Sequence, residues 1–300
     1  MLPDTYETST TRRLKFYLLI IFQIPSICCS LYLFHKFIIN RKLRCRLQNH
    51  IIICILISNF LSCSTELPIT LAFLHNNGQL KPSTAQFCLI WIYWNHLLNA
   101  HISFFVAWAS IERHLFIFYP TLIRTRSVLY HYFPITCCSL YAIVWYSYFI
   151  LLYPCSNTQL NYKQLLCFGP CYQYQIIIRN VDLILNVFGS TFIIIIANLT
   201  LIVRVIVWRK RHMNIRVTNE WRKNFKMVVQ LLLISLLFSI SWLPLIVVLF
   251  IRLVYKPNFL QYLTTVYLLY TPYLSALITP LMCLVATADI KAKKYKLNCK

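Results

Sequence analysis

Seven long apolar stretches fill nearly the whole chain, near 16–39, 49–74, 86–111, 131–153, 176–203, 226–251 and 260–285. A bilayer core about 30 Å thick is crossed by roughly 20 apolar residues in a helix, so each stretch has spanning length. Inside hydrocarbon every backbone N–H and C=O needs an internal partner, which leaves helices or a closed barrel. None of the stretches alternates polar and apolar residues as a barrel strand does. The expected fold class is therefore an all-α membrane protein, a seven-transmembrane helix bundle. It comprises a short tail at 1–15, the bundle at 16–285 and a short basic tail at 286–300. The connections are too short to hold a soluble domain, so function is expected in the bundle and its loops.

The net charge of +22 would suit a nucleic-acid binder if it were clustered on one surface. It is not. Lys and Arg number five in 35–48, three in 112–130, eight in 204–226 and five after 286, so 21 fall on alternate connections against eight on the others. This asymmetry predicts an extracellular N-terminus and a cytoplasmic C-terminus. The partners expected of the basic loops are membrane lipids, through their anionic headgroups, and no nucleic acid. The first apolar run is expected to be a span rather than a cleavable signal. Most of the thirteen cysteines lie inside spans as small apolar residues. Cys88, Cys155, Cys167 and Cys171 fall near the outer face, where oxidation is possible. Within the basic tail, Asp289–Lys294 reads as either an amphipathic helix on the inner leaflet or a solvated segment.

The third span is the most polar. At about 100° per residue, Asn95, Asn99, Ser103, Ser110 and Arg113 share one face. Such a stripe faces the bundle interior, because lipid penalises each of those groups. The serines read as interhelical hydrogen-bonding groups, and Asn95 and Asn99 as ligand-pocket candidates. His96 and His101 read as packing residues on other faces. The span ends in Glu112-Arg113 where membrane gives way to cytosol. Glu66 and Asp182 are the two acids inside spans, and a buried carboxylate is by default a functional candidate. Arg179, three residues before Asp182, offers it a local salt bridge.

Several motifs taken together resemble those of rhodopsin-like (class A) G-protein-coupled receptors. Cys88 stands twenty-five residues before Arg113 and Pro120 seven after it, around a Glu112-Arg113-His114 triplet. Ser241-Trp242-Leu243-Pro244 in the sixth span resembles the family's Cys-Trp-x-Pro. Asn49 and Asn59 keep the family's second-span spacing of ten. Thr279-Pro280-Leu281-Met282-Cys283 stands in place of Asn-Pro-x-x-Tyr. The resemblance covers all seven spans and marks the chain as a divergent member.

The resemblance implies a plasma-membrane receptor that passes binding of an extracellular ligand to a heterotrimeric G protein, without a cofactor. Glu112, Arg113, Trp242, Pro244 and Pro280 would form its switch and coupling elements. Pro244 kinks the sixth helix by removing a backbone hydrogen bond, and Trp242 would floor the pocket. Cys88 would bond to the 154–175 loop, through Cys167, leaving Cys155 and Cys171 for a second bridge; sequence alone leaves the connectivity open. Departures also have consequences. The acid that often holds the inactive arginine is replaced by Asn224, so a looser resting state is expected. Asn59 replaces the sodium-site aspartate, with Ser275 and Thr279 nearby, so weak or absent sodium binding is expected.

Asn95 occupies the position of the amine-binding aspartate, and Tyr273 that of the retinal-linking lysine. An amide cannot neutralise an ammonium and a phenol cannot form a Schiff base, so neither a monoamine nor retinal is expected. Pocket candidates are Asn95, Asn99, Asp182, Trp242 and Tyr273, for a peptide or small-molecule ligand. A transporter or channel is the alternative, but internal symmetry and glycine-broken helices are missing. A receptor-like protein that no longer signals is the other. No nucleophile–base pair or facing carboxylates suggest an enzyme, and no metal site is expected.

Overall fold

The computed structural model describes residues 7–154, 160–211, 219–255 and 259–288. The chain there is all helix and loop. Seven long helical stretches follow in order: α1 Ser9–Ile39, α2 Asn49–His75, α3 Ala85–Phe118, α4 Val128–Leu152, α5 Ile176–Val207, α6 Val229–Val254 and α7 Gln261–Val285. Six of them, all but α3, are long and apolar enough to cross a membrane. The expected third span at 86–111 lies within α3, whose 34 residues reach about 50 Å at 1.5 Å per residue. Length is therefore not its shortfall. Asn, His, Trp and Tyr dilute its apolar residues.

Position in the bundle explains that dilution. Helix α3 packs against α2, α4, α5 and α6, while α1 and α7 close the ring. Its buried residues run its whole length, from Cys88 and Trp91 through Asn95, Ser103 and Ser110 to Arg113. A helix enclosed by others meets little lipid, so polar groups on it are tolerated where they find partners. The opposite case is α4, with 17% of its most apolar window buried against 56% for α2 and for α7. Leu140, Val144 and Leu152 on α4 are exposed, as lipid-facing side chains must be.

Local signals set the ends of α3. Thr84 caps its start by accepting from the Phe87 N–H, a typical N-cap bond. Its stop is Pro120, which disfavours helical backbone at Tyr119 and opens a separate short helix, Pro120–Thr125. Wider π-helical turns interrupt α2 at Ser62–Glu66 and α5 at Leu183–Gly189. Two of the buried acids lie at these insertions: Glu66 closes the first and Asp182 directly precedes the second. Such turns often occur at functional sites because they re-aim side chains. Residues Asp289–Lys294 and Cys155 lie outside the described residues.

Candidate functional site

One end of the bundle is capped by a covalently tethered loop. Cys88, near the start of α3, is bonded to Cys167. The loop is fastened further where Leu80 N–H donates to Tyr162 O (3.0 Å) and Asn161 N–H to Cys167 O (3.1 Å). Leu166, Cys167 and Phe168 have φ of 52°, 50° and 77°, and Gly169 follows at 88°. Left-handed backbone costs roughly 1–2 kcal/mol for each side-chain-bearing residue, so the loop holds this shape only because its anchors over-determine it.

Beneath the loop lies a cavity of about 520 Å³, within the usual range of ligand sites. Asn95, Asn99, Asp182 and Trp242 all line it, but Tyr273 does not. His96 does, contrary to its reading as a packing residue. The wheel held the signal: at about 100° per residue His96 lies only about 20° from Ser103. Trp242 stacks on Phe238 with ring centroids 5.5 Å apart, two residues before Pro244 inside α6.

Asp182 is buried and accepts from four neutral donors. Its Oδ1 accepts from Asn186 Nδ2 (2.6 Å), Trp145 Nε1 (3.0 Å) and Tyr146 OH (3.4 Å), and its Oδ2 from Tyr172 OH (3.0 Å). Three donors crowd Oδ1 and one reaches Oδ2, so neutral groups take up most of the roughly four lone-pair positions that a carboxylate offers. The local salt bridge expected from Arg179 does not form among the described residues. Asp182 instead ties α4, α5 and the loop together.

Tyr273 is explained by Glu66. Its hydroxyl donates to Glu66 Oε1 (2.7 Å), which also accepts from Thr70 Oγ1 (3.1 Å) and Trp91 Nε1 (3.2 Å). Asn95 Nδ2 donates to the same hydroxyl (3.4 Å), and Asn99 Nδ2 to Asn95 Oδ1 (3.1 Å). The phenol is thus removed from the cavity wall and joins α2 to α7 behind it. Only the amides of this chain reach the cavity.

At the other end α3 presents Arg113, just 2% exposed. Its Nη1 donates to Asn198 Oδ1 (3.2 Å) on α5 and to Ser235 Oγ (3.3 Å) on α6, and its Nη2 donates to Leu231 O. Three neutral acceptors on two helices replace an acid; the Asn224 side chain lies outside the described residues. His114 adds a contact to Ala197 O (2.8 Å).

Glu112 turns away from Arg113 and pairs with the fully buried His131 of α4. His131 Nε2 meets His50 Nδ1 (3.1 Å), and His50 Nε2 meets Arg44 O (2.8 Å). The carbonyl only accepts, so His50 Nε2 carries hydrogen. Three hydrogen bonds along this chain require three protons, which makes Glu112, His131 and His50 together net neutral. The charge of Glu112 is therefore balanced within the chain, and Arg113 is left as a buried cation among neutral groups.

Elsewhere, Asn59 is buried with neither amide atom hydrogen-bonded. Ser275 and Thr279 donate to carbonyls of their own helix, Pro272 O and Ser275 O. Pro280 lies inside the last helix. Among the described residues no cluster of His, Cys, Asp or Glu could hold a metal ion. Sequence reasoning missed His131, Asn198 and Ser235, whose roles come from contacts between helices and leave no local signature. No protein-family model matches the chain, and no curated protein matches it.

Proposed function

We propose that the chain is a plasma-membrane receptor of seven spans, oriented with its disulfide-capped end outside. It couples a ligand in the 520 Å³ cavity to a heterotrimeric G protein at the Arg113 end. The observation that carries this reading is the attachment of Arg113 to both α5 and α6. Outward movement of the inner end of α6 must break the bonds to Ser235 and Leu231. Hydrogen bonds to a charged group contribute about 1.5–3 kcal/mol each, so an incoming partner has to offer the guanidinium new acceptors.

Helix α6 also reaches the cavity through Trp242 and Leu245. A ligand that packs better against one position of that helix than another shifts the equilibrium by its differential affinity, and by no more. Pro244 supplies the pivot between the two sites. The test is agonist-driven nucleotide exchange by Arg113→Ala at matched surface level. Exchange is expected to be lost; unchanged exchange would remove Arg113 from the coupling role.

A further inference from the structure

We propose that the cavity takes a small amphipathic carboxylate, its anionic head between Arg179 and Arg252 and its apolar body against the leucine-lined wall. This rests on the receptor reading for its consequence, but not for the binding itself.

The argument begins with which charges in the cavity are free. Asp182 is the acid that lines it, and it already accepts from Asn186, Trp145, Tyr146 and Tyr172. A ligand ammonium would compete with that set, and each buried donor it displaced would cost about 1–3 kcal/mol. Arg179 and Arg252 also line the cavity, and neither is paired with an acid among the described residues. Arg252 is oriented from behind: its Nε donates to Phe259 O (2.9 Å) and one terminal nitrogen to Thr264 Oγ1 (3.0 Å). Those bonds fix the guanidinium plane and use one of its two terminal nitrogens. A guanidinium fork presented this way matches a planar carboxylate.

The remaining wall sets the rest of the molecule. Leu165, Leu183, Val187, Leu245, Leu249 and Leu269 line the same space, and Asn99 offers an amide deeper in. Apolar lining with a few convergent polar groups is the usual form of a small-molecule site. Both arginines belong to helices that the proposed mechanism uses, since Arg252 ends α6 and Arg179 begins α5. A carboxylate bridging them would draw the outer ends of α5 and α6 together.

The test uses the full chain, purified into lipid nanodiscs. Its probes are 4-phenylbutanoate, 4-phenylbutylamine and 4-phenylbutanol, matched in body and differing in head group. Thermal unfolding is expected to rise with millimolar carboxylate and to stay unchanged with the amine and the alcohol. Arg252→Gln should abolish the rise. Arg179→Gln should weaken it at least tenfold in apparent affinity, and it controls for misfolding because that side chain is exposed. Equal or greater stabilisation by the amine, no response to any probe, or carboxylate binding that survives both substitutions would overturn the proposal. Carboxylate binding without nucleotide exchange would leave it standing and count against G-protein coupling instead.

Discussion

The two ends of the bundle treat buried charge in opposite ways. At the disulfide end an acid, Asp182, is surrounded by neutral donors while two arginines at the cavity keep donor capacity. At the other end a cation, Arg113, is surrounded by neutral acceptors, and the acid beside it is turned toward a histidine. One end is held open beneath a tethered loop; the other is closed across α3, α5 and α6. The difference teaches that Asp182 and Arg113 are each held by neutral groups, whereas the ion pairs near the disulfide end run from Glu7 to Arg12 and Lys15 on the first helix. Asp182 accepts from α4, α5 and the loop, and the terminal nitrogens of Arg113 donate to α5 and α6 while its Nε has no partner.

Breaking the closed end should have the largest effect. His131→Ala leaves Glu112 a buried carboxylate without its partner, and removal of one member of a buried pair costs about 3–5 kcal/mol. Thermal unfolding of the purified protein should fall accordingly, and a Glu112→Leu, His131→Leu double variant should recover much of the loss. No recovery would mean that the histidine acts by packing alone. At the open end, Cys88→Ser frees the loop that Cys167 anchors. Loss of a native disulfide costs about 2–5 kcal/mol, with surface expression as a second readout. Retention of both stability and cavity binding would show that the hydrogen bonds at Leu80 and Asn161 suffice.

Asp182→Asn is expected to cost less, about 1–3 kcal/mol, because the amide oxygen still accepts while its NH₂ faces donors. A larger loss would assign Asp182 a charge role that its neutral partners do not explain. Smallest of all is Asn198→Ala. It removes one acceptor of Arg113 while Ser235 and Leu231 remain, so the closed state weakens by about 1.5 kcal/mol, the low end for bonds to a charged group. Ligand-independent nucleotide exchange should then rise several-fold, and an unchanged basal rate would show that α5 takes no part in closure.

Much of the architecture was legible because long apolar runs have few alternatives in a bilayer. The polar stripe of α3 was legible for the same reason, and Asn95, Ser103, Ser110 and Arg113 are buried together along it. What the chain did not disclose is who meets whom. Glu112 and His131 are nineteen residues apart, and their pairing depends on how α4 leans on α3. Tyr273 was placed at the pocket by its helical position, but Glu66, aimed by a π-helical turn in α2, draws its hydroxyl away. A straight-helix projection has no means to anticipate that turn. His96 was different, since its place beside Ser103 was already on the wheel.

The central claim is that Arg113 clamps α6 against α3 in the resting molecule. Spin labels carried on unnatural amino acids in place of Tyr119 and Val229, both exposed, report the separation of those helices in nanodiscs without ligand. The account predicts a longer and broader distance distribution for Arg113→Ala than for the unaltered arginine. Superimposable distributions would contradict it.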